Sequence, residues 1–367
     1  MPQPLSGVVV LDFTTLLPGP LAALMLAEAG AEVIKIEQPG GDEMRAYPPR
    51  LDRDSALFAL LNRGKTALTL DLKSADGHAR LAPLLGRADV LIEQFRPGVM
   101  DRLGLGYDTV KRAHPRLVYC SISGYGQRGS RADEAGHDLN YIGATGLLAL
   151  NPGATPTVPP ALVADIGGGS FPAVINILLA LRQRDVTGEG CHLDVAMADA
   201  MFTFAWHAFA TGQATGRYPV SGEARLAGGS PRYALYPTRD GKLVACAALE
   251  QKFWRAFCAA IGLAPALIDD VADPAATHAA VAAIIAARTA VDWRPVLAAA
   301  DCCATIVASL DEAVCDPHFV ERGLFTREVA GPDGQAIAAL PVPIAAGFRD
   351  SEKRKASPPL EQRGHEP

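Results

Sequence analysis

No ready-made metal or redox site is written into these 367 residues: there is no CxxC, no HExxH and no local His/Cys cluster, so no metal site is expected. The seven cysteines are odd in number and lack framework spacing, which excludes a disulfide scaffold and fits a reducing compartment. Cys302 and Cys303 lie in an Ala-rich stretch and are expected to be small core residues. No run reaches the ~18 consecutive apolar residues of a membrane-spanning helix. The opening MPQPLSGVVVLDF has no basic segment ahead of an apolar one, and the final RGHEP is no peroxisomal address. A cytoplasmic location with no membrane partner is the expectation. Positive charge is also scarce: 34 Lys and Arg stand against 40 Asp and Glu, a net charge of −6. Wholesale nucleic-acid binding, which needs a basic face to neutralise phosphates, is therefore not expected.

What is present is apolar material with a regular rhythm. Hydrophobic residues make up 49% of the chain and charged ones 20%, enough for a sizeable core and for more than one domain. GVVVLDF, AEVIKIE, TALTLDL, ADVLIEQF and RLVYCSISG read as strands, while PGPLAALMLAEAG, SADGHARLAPLLGRA and GYDTVKRAH read as helices. Strands interleaved with helices imply βαβ units and a mostly parallel sheet, hence an α/β fold class. The first turn, TTLLPGP, has neither GxGxxG nor a Walker lysine, so the topology of a nucleotide fold comes without its dinucleotide or ATP fingerprint. Residues from about Gly216 to Gly229 suggest a linker. SPRYALYPTRDGKLVACAALE then reads as a hairpin turned at RDGK, followed by Ala-rich helices to about Leu310, which makes a second, smaller α+β unit. PDGQ turns another hairpin near Gly334, and SEKRKASPPLEQRGHEP reads as a polar, mobile tail.

Three places carry titratable groups in suggestive company. GHDLNY sets His137 beside Asp138 at what reads as a helix start, where an anion is favoured by the backbone dipole whether or not it has a function. VADIGGGS brings a strand-like approach to Asp165, then three glycines and a long apolar helix. An aspartate there is ordinarily an N-cap, but consecutive glycines are tolerated best where backbone must approach something closely. Glu250 ends the apolar strand of ACAALEQKF, where a solvated edge or a helix cap is the ordinary role.

Taken in order, PLSGVVVLDFTTLLPGPLAALMLAEAGAEVIKIEQPGGDEMR, LNRGKTALTLDLKSADG, ADVLIEQFRPGVMDRLGLGYD, LVYCSISGYGQRG, VADIGGGSFPAVINILLALRQRDVTGEGCHLDVAMADA and YPTRDGKLVACAALEQKFW resemble the family III CoA-transferase superfamily, and within it the α-methylacyl-CoA racemases, over nearly the whole chain. The resemblance implies a Rossmann-like large domain from both chain ends (residues 1–190 and 312–367), a linker helix region (191–225) and a small domain (226–311), assembled as an interlocked homodimer. It also implies coenzyme A as part of an acyl-CoA thioester substrate, with no separate cofactor. The residues matching the family's CoA contacts are Leu17, Leu72, Lys73, Gln94, Phe95, Arg96 and Arg102; guanidinium forks suit the phosphates and apolar walls suit pantetheine. The chain departs from the pattern at Gln38, where relatives commonly carry arginine; Arg45 or Arg50 are the candidates to replace that cation.

Two chemistries follow from the resemblance. Transferases use the aspartate matching Asp165 as a nucleophile, through an anhydride and then an enzyme-bound thioester. Racemases use it as one half of an acid/base pair across the substrate α-carbon, with a histidine opposite and a glutamate in support. His137, Asp165 and Glu250 fit the second pattern, Glu250 orienting His137 and the Asp138 N–H donating to the enolate oxygen. Ala161, where racemases tend to have asparagine, and AGGSPRYALY, whose glycines look transferase-like, lean the other way. Retention of His137, Asp165 and Glu250 argues against a non-catalytic CoA-binding paralogue. The racemase reading, inversion of 2-methylacyl-CoA thioesters, is favoured over the transferase.

Overall fold

The computed structural model describes residues 2–153 and 156–361. Contacts group the chain into two compact units, Met1–Ile142, Pro160–Met201 and Pro317–Pro367 in one, Gly143–Pro159 and Phe202–Asp316 in the other.

The first unit is built on a six-stranded, all-parallel sheet. Its strands are β1 (Val9–Asp12), β2 (Glu32–Glu37), β3 (Thr66–Thr69), β4 (Val90–Glu93), β5 (Val118–Ser123) and β6 (His192–Ala196), in the order β3-β2-β1-β4-β5-β6. Val10 pairs with Val33 on one side and Val90 on the other, so β1 is central. Its strand order reverses there, and in such sheets ligands bind outside the carboxyl ends of the strands at the reversal. Five strands fall where the β-branched runs place them. The sixth, HLDVA, was not anticipated: it alternates, with His192 and Asp194 exposed, and carries too little apolar content to stand out.

Helix α1 (Pro18–Glu28) begins with Pro at its first position and is buried along all eleven residues, so it has no polar face at all. Helices α2 (Ala75–Arg87) and α3 (Tyr107–Ala113) flank the sheet; α2 is capped by Ser74, whose hydroxyl accepts from the Gly77 N–H, and buries Leu81 and Leu85. A short helix, α4 (Asp138–Ala144), and the long α5 (Phe171–Thr187) follow. The approach to α5 is not a strand. Ala164–Ser170 is a π-helical run that continues into α5, and Asp165 sits in its first turn without capping it. A π-turn is a common companion of functional sites.

The glycines explain this entry. A Cβ on Gly168 would lie 2.3 Å from the Met197 carbonyl oxygen, and one on Gly169 would lie 2.9 Å from Pro18. The helix carrying Asp165 therefore presses against both the β1–α1 loop and the end of β6, and the Ser170 hydroxyl fixes it there by donating to the Pro18 carbonyl at 2.8 Å. The whole stretch Ala164–Thr187 is long and apolar enough to cross a bilayer by length and composition alone, although no strictly apolar run marks it; 44% of its most apolar window is buried within the chain.

In the second unit β7 (Tyr233–Pro237) and β8 (Leu243–Ala247) form the expected hairpin, joined by β9 (Ala304–Ile306). Helices α6 (Gln251–Ile261), α7 (Pro274–Ala286) and α8 (Ala290–Ala300) pack on it around Trp254, Phe257 and Trp293. Cys302 joins this core, but Cys303 is exposed with φ +53°, so only one of the adjacent pair is a core residue. The PDGQ hairpin forms between Glu328–Ala330 and Ala336–Ala338. The polar tail is anchored where Arg354–Ala356 pairs in parallel with Glu328–Ala330, and Ser357 is buried. Its end, RGHEP, lies outside the described residues.

Candidate active site

The carboxyl end of β1 leads into Thr14, Thr15, Leu16 and Leu17 before α1 starts. Leu16 has φ +60°, a conformation that costs a branched L-residue of order 1–3 kcal/mol and persists only when its surroundings enforce it. They do. Asp12 accepts from both the N–H and the hydroxyl of Thr14, while Lys35 Nζ donates to the Thr14 carbonyl at 2.7 Å.

Two cavities open on either side of this loop and share Thr15 and Phe95 as walls. The first, about 440 Å³, is lined by Leu16, Pro18, Arg96, His137, Tyr141 and Asp165, among others. His137 and Asp165, 28 positions apart in sequence, thus face one cavity. Burial pushes the Asp165 carboxyl up to about 6; the Asp138 carboxylate adds to the rise and His137 opposes it. A carboxyl poised near neutrality can both take and give a proton at working pH.

Asp138 does something the sequence did not show. It opens α4 and is 4% exposed, but its carboxylate serves another helix. The N–H groups of Ala164 and Asp165 donate to Asp138 Oδ1 at 2.6 and 2.9 Å, so the anion caps the start of the helix that carries Asp165. Asp138 reads in the sequence as a first-turn anion of its own helix; proximity in space joins it to a second helix as well, and no spacing in the sequence encodes that. The start of α4 is held instead by Asn140, whose Oδ1 accepts from the His137 N–H at 3.0 Å.

Glu250 belongs to the second unit. It occupies the N-cap position of α6 with φ −76° and ψ 144°, yet its side chain makes no cap hydrogen bond, leaving an exposed carboxylate. Ala161 is exposed and outside the lining of the first cavity. In the AGGSPRYALY stretch, a Cβ on Gly229 would meet the Glu223 carbonyl oxygen at 2.4 Å, and Arg232 pairs with Asp270 at 2.5 Å. Gly229 thus has a local packing reason to be there.

The second cavity, about 480 Å³, has apolar walls from Phe13, Ile36, Leu70, Leu72 and Leu103, and a polar rim that includes Gln38 and Lys73. Of the residues expected to contact CoA, Leu72, Lys73 and Phe95 line it, whereas Gln94, Phe95 and Arg96 line the first cavity. Gln94 is partly committed, its Oε1 accepting from the Gly19 N–H at 2.9 Å. Leu17 is the half-buried residue before α1 and lines neither cavity; its neighbour Leu16 does so instead. Arg102 is exposed and lines neither. Arg45 cannot replace the missing cation at Gln38. It is buried, bound to Glu37 through two nitrogens and to Asp54 at 2.6 Å, and stacked 3.9 Å over the Phe58 ring. Arg50 spends its Nη1 on the Arg45 and Arg53 carbonyls. Among the described residues no group of three or more His, Cys, Asp or Glu is placed to hold a metal ion.

The family described as CoA-transferase family III matches residues 5–364. The human protein named alpha-methylacyl-CoA racemase is 33% identical over 345 residues, 93% of this chain and 86% of that protein. An acetyl-CoA:oxalate CoA-transferase of Acetobacter aceti is also 33% identical, over 98% of this chain and 94% of its own length. Among solved structures, a CAIB/BAIF family protein from Brucella suis superposes with a TM-score of 0.80 at 29% identity, covering 98% of this chain and 97% of that one. A parallel sheet with two cavities at its reversal point, and a family match along nearly the entire length, lead to one statement: this chain belongs to CoA-transferase family III, whose members include racemases and CoA-transferases.

Proposed function

We propose that the protein is an acyl-CoA racemase that inverts the α-carbon of 2-methylacyl-CoA thioesters. The observation that carries this reading is His137 and Asp165 facing one cavity, with Asp165 poised at about 6. One group removes the α-proton: the C–H bond breaks and its electron pair moves into the enolate. The other group, on the opposite face, returns a proton to that carbon, so protons balance over the cycle. The Asp138 N–H, which opens α4 and has no intrahelical acceptor, donates to the enolate oxygen. The acyl chain lies in the first cavity and the nucleotide end of CoA in the second, which share a wall.

The test is α-deuterium incorporation from deuterated water into a chiral 2-methylacyl-CoA, with loss of stereochemistry. His137→Ala should lower exchange by about 10²–10⁴-fold, the range for a positioned acid or base. The alternative is CoA transfer, in which an Asp165 oxygen attacks the thioester carbonyl, the C–S bond breaks and CoA thiolate leaves a mixed anhydride. It is favoured by the equal identity to a CoA-transferase. A new thioester formed on an added carboxylic acid, with no α-exchange, establishes that alternative and sinks the racemase.

We also propose a homodimer. Phe171, Ile175, Leu178, Leu179 and Val186 form an exposed apolar face along α5, at helical spacing. His137 is solvent-exposed in the single chain, whereas an enolate needs a dry site. Sedimentation should give twice the 38.5 kDa chain mass; a particle of 38.5 kDa at micromolar concentration would refute the dimer.

A further inference from the structure

We infer that this protein holds the nucleotide end of its thioester without using the ribose 3′-phosphate, so that 3′-dephospho-CoA serves it about as well as CoA. The inference rests on the CoA-thioester reading above and concerns the second cavity. Its walls are apolar and aromatic, suited to a base and a pantetheine arm. What decides its preference for an extra phosphate is the charge left over at its rim.

Four of the lining residues are acidic and one is a cation. Two of the acids are already neutralised within the protein. Glu37 is held by Arg45 at 2.7 and 2.8 Å and also accepts from the Asp42 N–H. Asp42 is paired with Lys35 at 2.8 Å, both side chains 1% exposed. Arg45 and Lys35 are thereby consumed. The groups facing solvent at the rim are then Glu43, Asp71 and Lys73, two negative charges against one positive, with neutral Gln38 among them.

A phosphomonoester brings nearly two negative charges at neutral pH. At an exposed rim the pull of each unit charge a few ångströms away is weak in water, and salt reduces it further. One ammonium opposed by two carboxylates leaves no net attraction for it. Gln38 can donate a hydrogen bond there but cannot neutralise the anion, and a guanidinium in its place could do both.

The experiment is titration calorimetry of the full chain with CoA and with 3′-dephospho-CoA. Dissociation constants within about threefold of one another are expected. Gln38→Arg should then tighten CoA by about tenfold and leave dephospho-CoA unchanged. The inference is overturned if the parent protein binds CoA more than about threefold tighter than dephospho-CoA, or if Gln38→Arg fails to tighten CoA selectively. If neither ligand binds, the CoA-thioester reading itself fails and takes this inference with it. That outcome is distinct from a phosphate preference.

Discussion

Asp165→Ala is expected to lower turnover by about 10³-fold, whichever chemistry the protein performs, because the carboxyl is either half of the proton-transfer pair or the nucleophile itself. The variant should nevertheless fold. A carboxyl whose folded pKa is about 6 binds more protons in the folded than in the unfolded chain, so between about pH 4 and 6 its contribution to stability falls as pH rises. At pH 7 the ionised group therefore opposes folding, and Asp165→Asn should melt no lower than the parent while losing the same activity. A variant that loses activity only because it unfolds would contradict this. The pH profile separates the chemistries. A transferase needs the carboxylate, so kcat/KM rises through about pH 6 to a plateau. A two-base racemase needs the Asp165–His137 pair to hold one proton between them, so its rate falls again at high pH when that proton is lost, giving a bell whose limbs belong to the pair.

The scaffold beneath this site was largely legible. Short β-branched runs such as VVLD and VLIE became strands because a parallel sheet buried on both faces selects continuous apolar segments. The errors have common physical origins. The approach to Asp165 contains Leu162, Val163 and Ala164 and reads as strand by composition, yet it enters a π-turn because glycines at 168 and 169 let that helix sit against Pro18 and Met197. That is tertiary packing overriding local preference. Asp138 reads as a first-turn anion of its own helix and in fact caps another, a pairing 26 residues apart that no period reveals. Arg45 reads in the sequence as an available phosphate ligand, yet in the fold Glu37, Asp54 and Phe58 have already engaged it. Sequence patterns report which residues face a core. They do not report which charges are already neutralised.

The same limit applies to the loop that separates the two cavities, and it supports a second strong prediction. Lys65 is fully buried and donates to three acceptors: Asp12 Oδ2 at 2.8 Å, Asn62 Oδ1 at 2.9 Å and the Pro20 carbonyl at 3.0 Å. Burial pushes its pKa down to about 8, with Asp12 resisting the fall, so it still carries a proton at neutral pH. The charge is needed because Asp12, at the end of the central strand, stays ionised: burial would raise its pKa, but Lys65 and Lys35 hold it below the usual carboxylate range. Lys65→Met removes one partner of a buried pair and leaves the other charge poorly compensated, which costs about 3–5 kcal/mol. At about 2–4 °C per kcal/mol for a unit of this size, the melting transition of the first unit should drop by roughly 10 °C. Because Asp12 also fixes Thr14, and through it the strained Leu16, substrate KM should rise in the surviving folded fraction even below the transition. Replacing both partners, as in Asp12→Leu with Lys65→Met, should recover part of the stability, since an apolar pair leaves no unpaired charge, but should not restore KM, since Thr14 then loses its acceptor. A single variant that melts within about 2 °C of the parent would show that the pair does not hold this loop.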